Sequence, residues 1–213
     1  MSRFAFLLIP IGLAGPLQAE TELAFHLGAQ GAAPGDVRID DPVAGRDTLG
    51  VDWEGRSASA PVYYGLRLTR WSEETGWGVD FVHAKVYAPA DDRAAGGYDV
   101  LEFTDGLNLL TLNAYRRWPD ALGPATPYLG GGIGIAVPHV EVTRGGSVTE
   151  GYQVTGPAAT LLAGLRLPVG DRWTVFGEYK ASWSDNRADL STGGTLEAEI
   201  VTHALNAGVA WRF

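Results

Sequence analysis

The sequence predicts an all-β protein: an eight-stranded antiparallel transmembrane β-barrel with short periplasmic turns and long extracellular loops. Three observations carry that expectation. Apolar residues make up 46% of the 213 residues, yet they are interleaved with polar ones rather than gathered in a run long enough for a spanning helix. Segments that alternate with period two recur along the chain, with no helical pattern of similar strength between them. The intervals between those segments are alternately short and long, as strands joined by turns at one end and loops at the other require.

Taken in order, residues 1–19 read as a secretory signal peptide. Arg3 precedes the apolar run 4–15, and Ala19 supplies a small residue at the expected cut, leaving 20–213 as the barrel. The first alternating segment, 21–30, puts Leu23, Phe25 and Leu27 on one face and His26 on the other. Segments 62–71, 77–88, 108–118, 127–137, 158–167, 172–183 and 201–213 follow the same rule. The last ends in Phe213, with Leu205 and Val209 on its outer face and Asn206 within. Short links separate the second and third, fourth and fifth, and sixth and seventh segments; 31–61, 89–107, 138–157 and 184–200 are expected as long loops. Trp71, Trp77, Trp118, Trp173 and Trp211 lie beside the short links or the C-terminus, so they are expected to form an interfacial girdle there.

Composition excludes several chemistries. The chain has no Cys, which rules out disulfides, a thiolate nucleophile and Cys-ligated metals. Sixteen basic against 25 acidic residues give a net charge of −9, the wrong sign for a nucleic-acid surface. No flavin or nicotinamide fingerprint is present, since the glycines of 130–134 lie in a strand-like segment. A monomer is expected, with lipid as its surroundings.

Eight strands enclose only enough space for side chains to fill. His26, Arg67, Asp80, Asn113, Arg166, Glu178, Lys180 and Asn206 are expected to point inward as a paired polar plug. At the outward rim the strand directions bring together His83, Lys85, Asp105, Asn108, His139, Glu141, Glu178, Lys180 and His203. His139 and Glu141 are spaced i,i+2, hence on one strand face, and His83 and Lys85 repeat that spacing. Imidazole and carboxylate groups can bind a divalent cation or pass protons, and lysine can hold an anionic phosphate.

The segments 81–88 (FVHAKVYA), 101–118 (LEFTDGLNLLTLNAYRRW), 127–142 (PYLGGGIGIAVPHVEV), 152–158 (YQVTGPA) and 176–180 (FGEYK) resemble the lipid A oxidase family of Gram-negative outer membranes. The resemblance implies O2-dependent oxidation of the proximal glucosamine of lipid A to 2-aminogluconate, with release of hydrogen peroxide. Position then suggests roles: His139, Glu141 and His83 as ligands of a divalent metal and, with Asp105 and Glu178, as the catalytic set; Lys85, Lys180 and Asn108 as contacts to lipid A or lipopolysaccharide. Two alternatives stand beside this reading. One is a non-enzymatic structural or adhesive outer-membrane barrel. The other is a lipid A deacylase, which would need a His-x-Ser pair where this chain has His203, Ala204 and Leu205.

Overall fold

The computed structural model describes residues 19–213, so the expected leader at 1–19 falls almost wholly outside the described residues. The strands are β1 (Glu20–Ala32), β2 (Gly35–Asp41), β3 (Gly45–Val51), β4 (Tyr64–Ser72), β5 (Thr75–Tyr87), β6 (Tyr98–Arg117), β7 (Thr126–Arg144), β8 (Ser147–Tyr152), β9 (Gly156–Val169), β10 (Trp173–Asp189) and β11 (Thr195–Arg212). Among the described residues a single helix, α1 (Ala90–Gly96), stands between β5 and β6.

The expectation of eight strands linked by long loops is corrected: the described residues form an eleven-stranded antiparallel sheet. The eight alternating segments are all strands, but they grow well past the predicted ends. β6 and β7 begin and finish together at Tyr98 and Arg144, and β10 and β11 run on to Asp189 and from Thr195. The interval 31–61 contains the β2–β3 hairpin, which adds to β11 through Thr195↔Asp40, and the interval 138–157 contains β8, paired to β7. Length alone suggested loops; the alternation of Val37, Ile39 and Val51 was the signal for strand.

β1 pairs with β4 on one side and with β11 on the other, so the eight long strands succeed one another in a ring. The ring is interrupted at its outer end. β4 meets β1 only as far as Tyr64↔Leu27, while β1 continues to Ala32 and β5 to Tyr87. A strap, residues 52–63, occupies the gap. The Ser57 hydroxyl accepts from Gln30 N at 2.7 Å and donates to Gln30 O at 3.2 Å, and Glu54 bridges Tyr87. Side-chain oxygen thus replaces part of the missing ladder.

The two faces of the ring have opposite character. Leu23, Phe25, Leu66, Leu68, Val79, Leu112, Ile133, Leu161, Leu205 and Val209 point outward and are exposed. So broad an apolar exterior is stable only against lipid. Among the described residues no helix is long and apolar enough to cross a membrane. Beyond the belt, the extensions, the hairpin and α1 close over a buried apolar cluster that includes Val37, Trp53, Phe103, Leu101, Leu196 and Ile200. Trp53 packs on Phe103 with ring centroids 6.0 Å apart, which anchors the strap to β6.

The girdle is also corrected. Trp77 and Trp173 face outward and are exposed, but Trp71 is 2% exposed and points inward, where its indole donates to Glu22 at 2.7 Å. Arg117 and Arg166 lie over that indole at 4.6 and 5.0 Å, so Trp71 is part of the floor of the interior.

Candidate functional site

The interior is filled by ion pairs drawn from strands far apart in sequence. Arg67 on β4 donates to Asp80 on β5 at 3.2 Å and forks onto Glu178 of β10 at 2.8 and 2.9 Å. Lys180 donates to Asp80 at 2.7 Å, while Tyr128 and Asn206 donate to Glu178 at 2.5 and 3.2 Å. Two cations and two carboxylates make this group neutral, which is the condition for holding charge in a low-dielectric interior. Nearer the short turns, Arg166 donates to Glu22 at 2.5 Å, and further along the same strand Thr160 donates to Asn113 of β6 at 2.8 Å. The inward residues expected from alternation do point inward, but the pairing is incomplete: His26 is fully buried with no hydrogen-bond partner at either ring nitrogen among the described residues, and Arg166 is only partly enclosed. Above it the interior becomes apolar at Tyr63, Val82, Leu107, Leu109 and Ala204, continuous with the outer cluster.

The rim is divided. His83 is buried against the Tyr64 ring at 5.1 Å, with Nδ1 at 2.9 Å from Asn108 Oδ1; because a carboxamide oxygen only accepts, Nδ1 carries the proton. Asn108 is half-buried beside it. Gly106 (φ +114°) makes the pair possible, since a Cβ there would stand 2.4 Å from His83 Nδ1. Across β6, His139 Nδ1 lies 3.0 Å from Glu141, its ring edge-on to Tyr152 at 4.8 Å, and the Tyr152 hydroxyl donates to Asp105 O at 2.8 Å. Donor atoms of Asp105, His139 and Glu141 lie within 4.8 Å of one another.

Several expectations change on this geometry. Glu178 and Lys180 are not at the rim; both are spent in the interior ion pairs. Lys85 is 1% exposed under the strap and donates to Ala60 O at 3.2 Å. His83 is absent from the group formed by Asp105, His139 and Glu141, so the expected ligand set of His139, Glu141 and His83 is not assembled. The expectation of a divalent metal cofactor with O2 as co-substrate is corrected accordingly. His203 faces outward with Leu205 and is exposed beside Gly31. What sequence reasoning missed is the outermost surface. Val43 in the β2–β3 turn is 67% exposed, as is Val154 between β8 and β9, and Val148 and Tyr152 are exposed on β8. The β2–β3 and β7–β8 turns abut, a Cβ on Gly145 falling 3.4 Å from Ala44.

An apolar belt, a neutral ion-paired interior and a packed outer cap define a small outer-membrane protein, and the fold is shared with proteins of that kind. No family model and no curated protein matches the chain. Among solved structures, outer membrane protein AlkL, studied in lipid bilayers, is 18% identical over 98% of this chain and 97% of its own, with a TM-score of 0.51. Neisserial surface protein A is 15% identical over 92% of this chain and 97% of its own, also with a TM-score of 0.51. The chain is an outer-membrane protein by belt and fold. The oxidase expectation is corrected: the residues assigned to catalysis are not brought to one place, since Glu178 is spent in the interior ion pairs and His83 stands apart from Asp105, His139 and Glu141 at the rim.

Proposed function

We propose that the chain is a non-enzymatic structural or adhesive protein of the outer membrane, displayed with its cap toward the outside. The observation that carries this reading is the closed, packed outer end: strand extensions, hairpin and helix bury Val37, Trp53, Phe103 and Leu196 and hold the apolar tips Val43, Val148, Tyr152 and Val154 outward. A rigid platform presenting exposed apolar side chains suits contact with another surface, because little ordering entropy is lost on docking.

Lipopolysaccharide is the lipid this outer end would meet. A charged strip of Arg38, Arg187, Asp36, Asp185, Glu197 and Glu199 borders Val201, at the upper edge of the apolar belt. Arg187 is ion-paired with Glu197, and Arg38 stands at the level where phosphorylated sugars would lie. Asp105 and Asn108 extend that polar level around the rim.

Cells displaying the protein, and cells displaying a version with Val43, Val148 and Val154 changed to Ser, should be compared for attachment to an abiotic apolar surface and to one another. The proposal expects attachment with the first and loss with the second at equal surface amounts. Equal attachment by both, or none above cells lacking the protein, would refute an adhesive role.

A further inference from the structure

The outer face of the ring carries a depression that the plug and cap do not use. Trp77, Leu112, Ile133 and Leu161 form its walls, and Ala114, Gly131 and Ala159 its floor. Register makes this a single level of the sheet: Trp77 pairs with Ala114, Ala114 with Gly131, and Gly131 with Leu161. Two adjacent strands therefore contribute no side chain beyond a methyl at that level, while Ile133 and Leu161 beside it are 75% and 71% exposed. No charged residue lines the depression.

Charge is found just beyond its mouth. Arg70 pairs with Trp77 from β4 and faces outward, and its guanidinium makes no hydrogen bond or ion pair among the described residues. Arg116 lies two residues from Ala114 on the same outward face, over the Trp118 ring at 5.7 Å and ion-paired at 3.3 Å with the exposed Glu74. Both arginines flank the β4–β5 turn, hence the end of the ring with short turns, which faces the periplasm in outer-membrane proteins. An apolar trough opening onto the lipid belt and ending at an unpaired guanidinium and an interfacial tryptophan is complementary to one kind of molecule.

We infer that this groove holds an inner-leaflet glycerophospholipid with an anionic headgroup, one acyl chain over Ala114 and Gly131 and the phosphate at Arg70. The inference rests on the outer-membrane reading. Left unfilled, the recess would forfeit dispersion contacts along its lining, and an acyl chain lying over Ala114 and Gly131 restores them.

The test uses the full chain reconstituted into vesicles of phosphatidylethanolamine and phosphatidylglycerol, extracted gently and weighed by native mass spectrometry. Wild-type protein should retain a single phosphatidylglycerol. Arg70→Gln should lower retention about tenfold, the loss of a charge-assisted contact of ~1.4 kcal/mol, and the groove-filling pair Ala114→Phe with Ala159→Leu should abolish it. Arg172→Gln, in the β9–β10 turn, should leave retention unchanged. Equal retention in wild type, Arg70→Gln and the filled variant overturns the site, as does a dimer in place of the lipid adduct. Failure to insert into vesicles would instead overturn the membrane reading.

Discussion

Lys180 on β10 donates to the Asp80 carboxylate on β5 at 2.7 Å, both fully enclosed by the ring, and Arg67 completes the bridge from Asp80 to Glu178. A lysine held this way is a strut of the interior and does not reach a lipid headgroup. Residues 100 apart in sequence are thereby tied across the lumen, so the pair forms only when the ring closes.

Lys180→Met should therefore act on stability. It leaves Asp80 buried with Arg67 alone, and breaking a buried pair costs about 3–5 kcal/mol. Urea titration of the protein in lipid vesicles should show a midpoint well below wild type, while Arg172→Gln should not move it. An unchanged midpoint would mean that the ion pair is solvated.

Gly65→Ala should be destabilising for a steric reason. A Cβ at Gly65 would stand 2.2 Å from His26 Nε2 and 3.0 Å from Phe81 O, and overpacking of this kind costs about 1–3 kcal/mol. Adding His26→Ala in the same chain should recover a large part of the loss. A double variant no better than the single would place the clash on the backbone of β5.

Gly106→Ala combines a φ of +114° with a Cβ 2.4 Å from His83 Nδ1. The bulge of β6 between Glu102 and Leu107 should open, and the His83–Asn108 hydrogen bond should break. Imidazole 15N shifts report this: His83 should leave the Nδ1-protonated tautomer in the variant, with His203 unaffected.

The β2–β3 hairpin should loosen in acid. Burial works to raise the Asp41 carboxyl, but the N–H groups of Val43 and Ala44, accepted at 2.8 and 3.2 Å, and the charge of Arg144 outweigh it and hold the group below the usual aspartate range. A depressed folded value means stability that is fully present above the unfolded pKa of about 3.9 and is lost as pH falls through the folded one. Proteolysis within 35–51 by an acid-active protease should rise at low pH, and Asp41→Asn should show the same susceptibility already at neutral pH. Flat cleavage across pH in wild type would deny the turn this role.

Much of the ring was legible because one physical rule, alternation against lipid, governs every strand. Leu23, Leu66, Val79 and Leu112 outside and His26, Arg67, Asp80 and Asn113 inside follow from period two alone. The outer end was not legible for the same reason. There the strands leave the lipid, both faces are covered, and Leu101, Phe103, Val140 and Val142 lie in one apolar cluster with no solvent side to contrast with. The rim failed through bulges: β6 takes five steps from Glu102 to Leu107 where β7 takes three from Glu141 to Pro138, and the two extra residues turn Asp105 by an amount that spacing does not encode. Glu178 and Lys180 carried two readings in the sequence, plug and rim, and only the height of β10 against β4 and β5 decides for the plug.

The proposed non-enzymatic role requires that lipid A around this outer-membrane protein stay unmodified. Mass spectrometry of lipid A from cells grown in oxygen, with and without the folded protein, tests it most directly. The account predicts identical lipid A spectra. A product one oxygen atom heavier, present only with the protein, would contradict it.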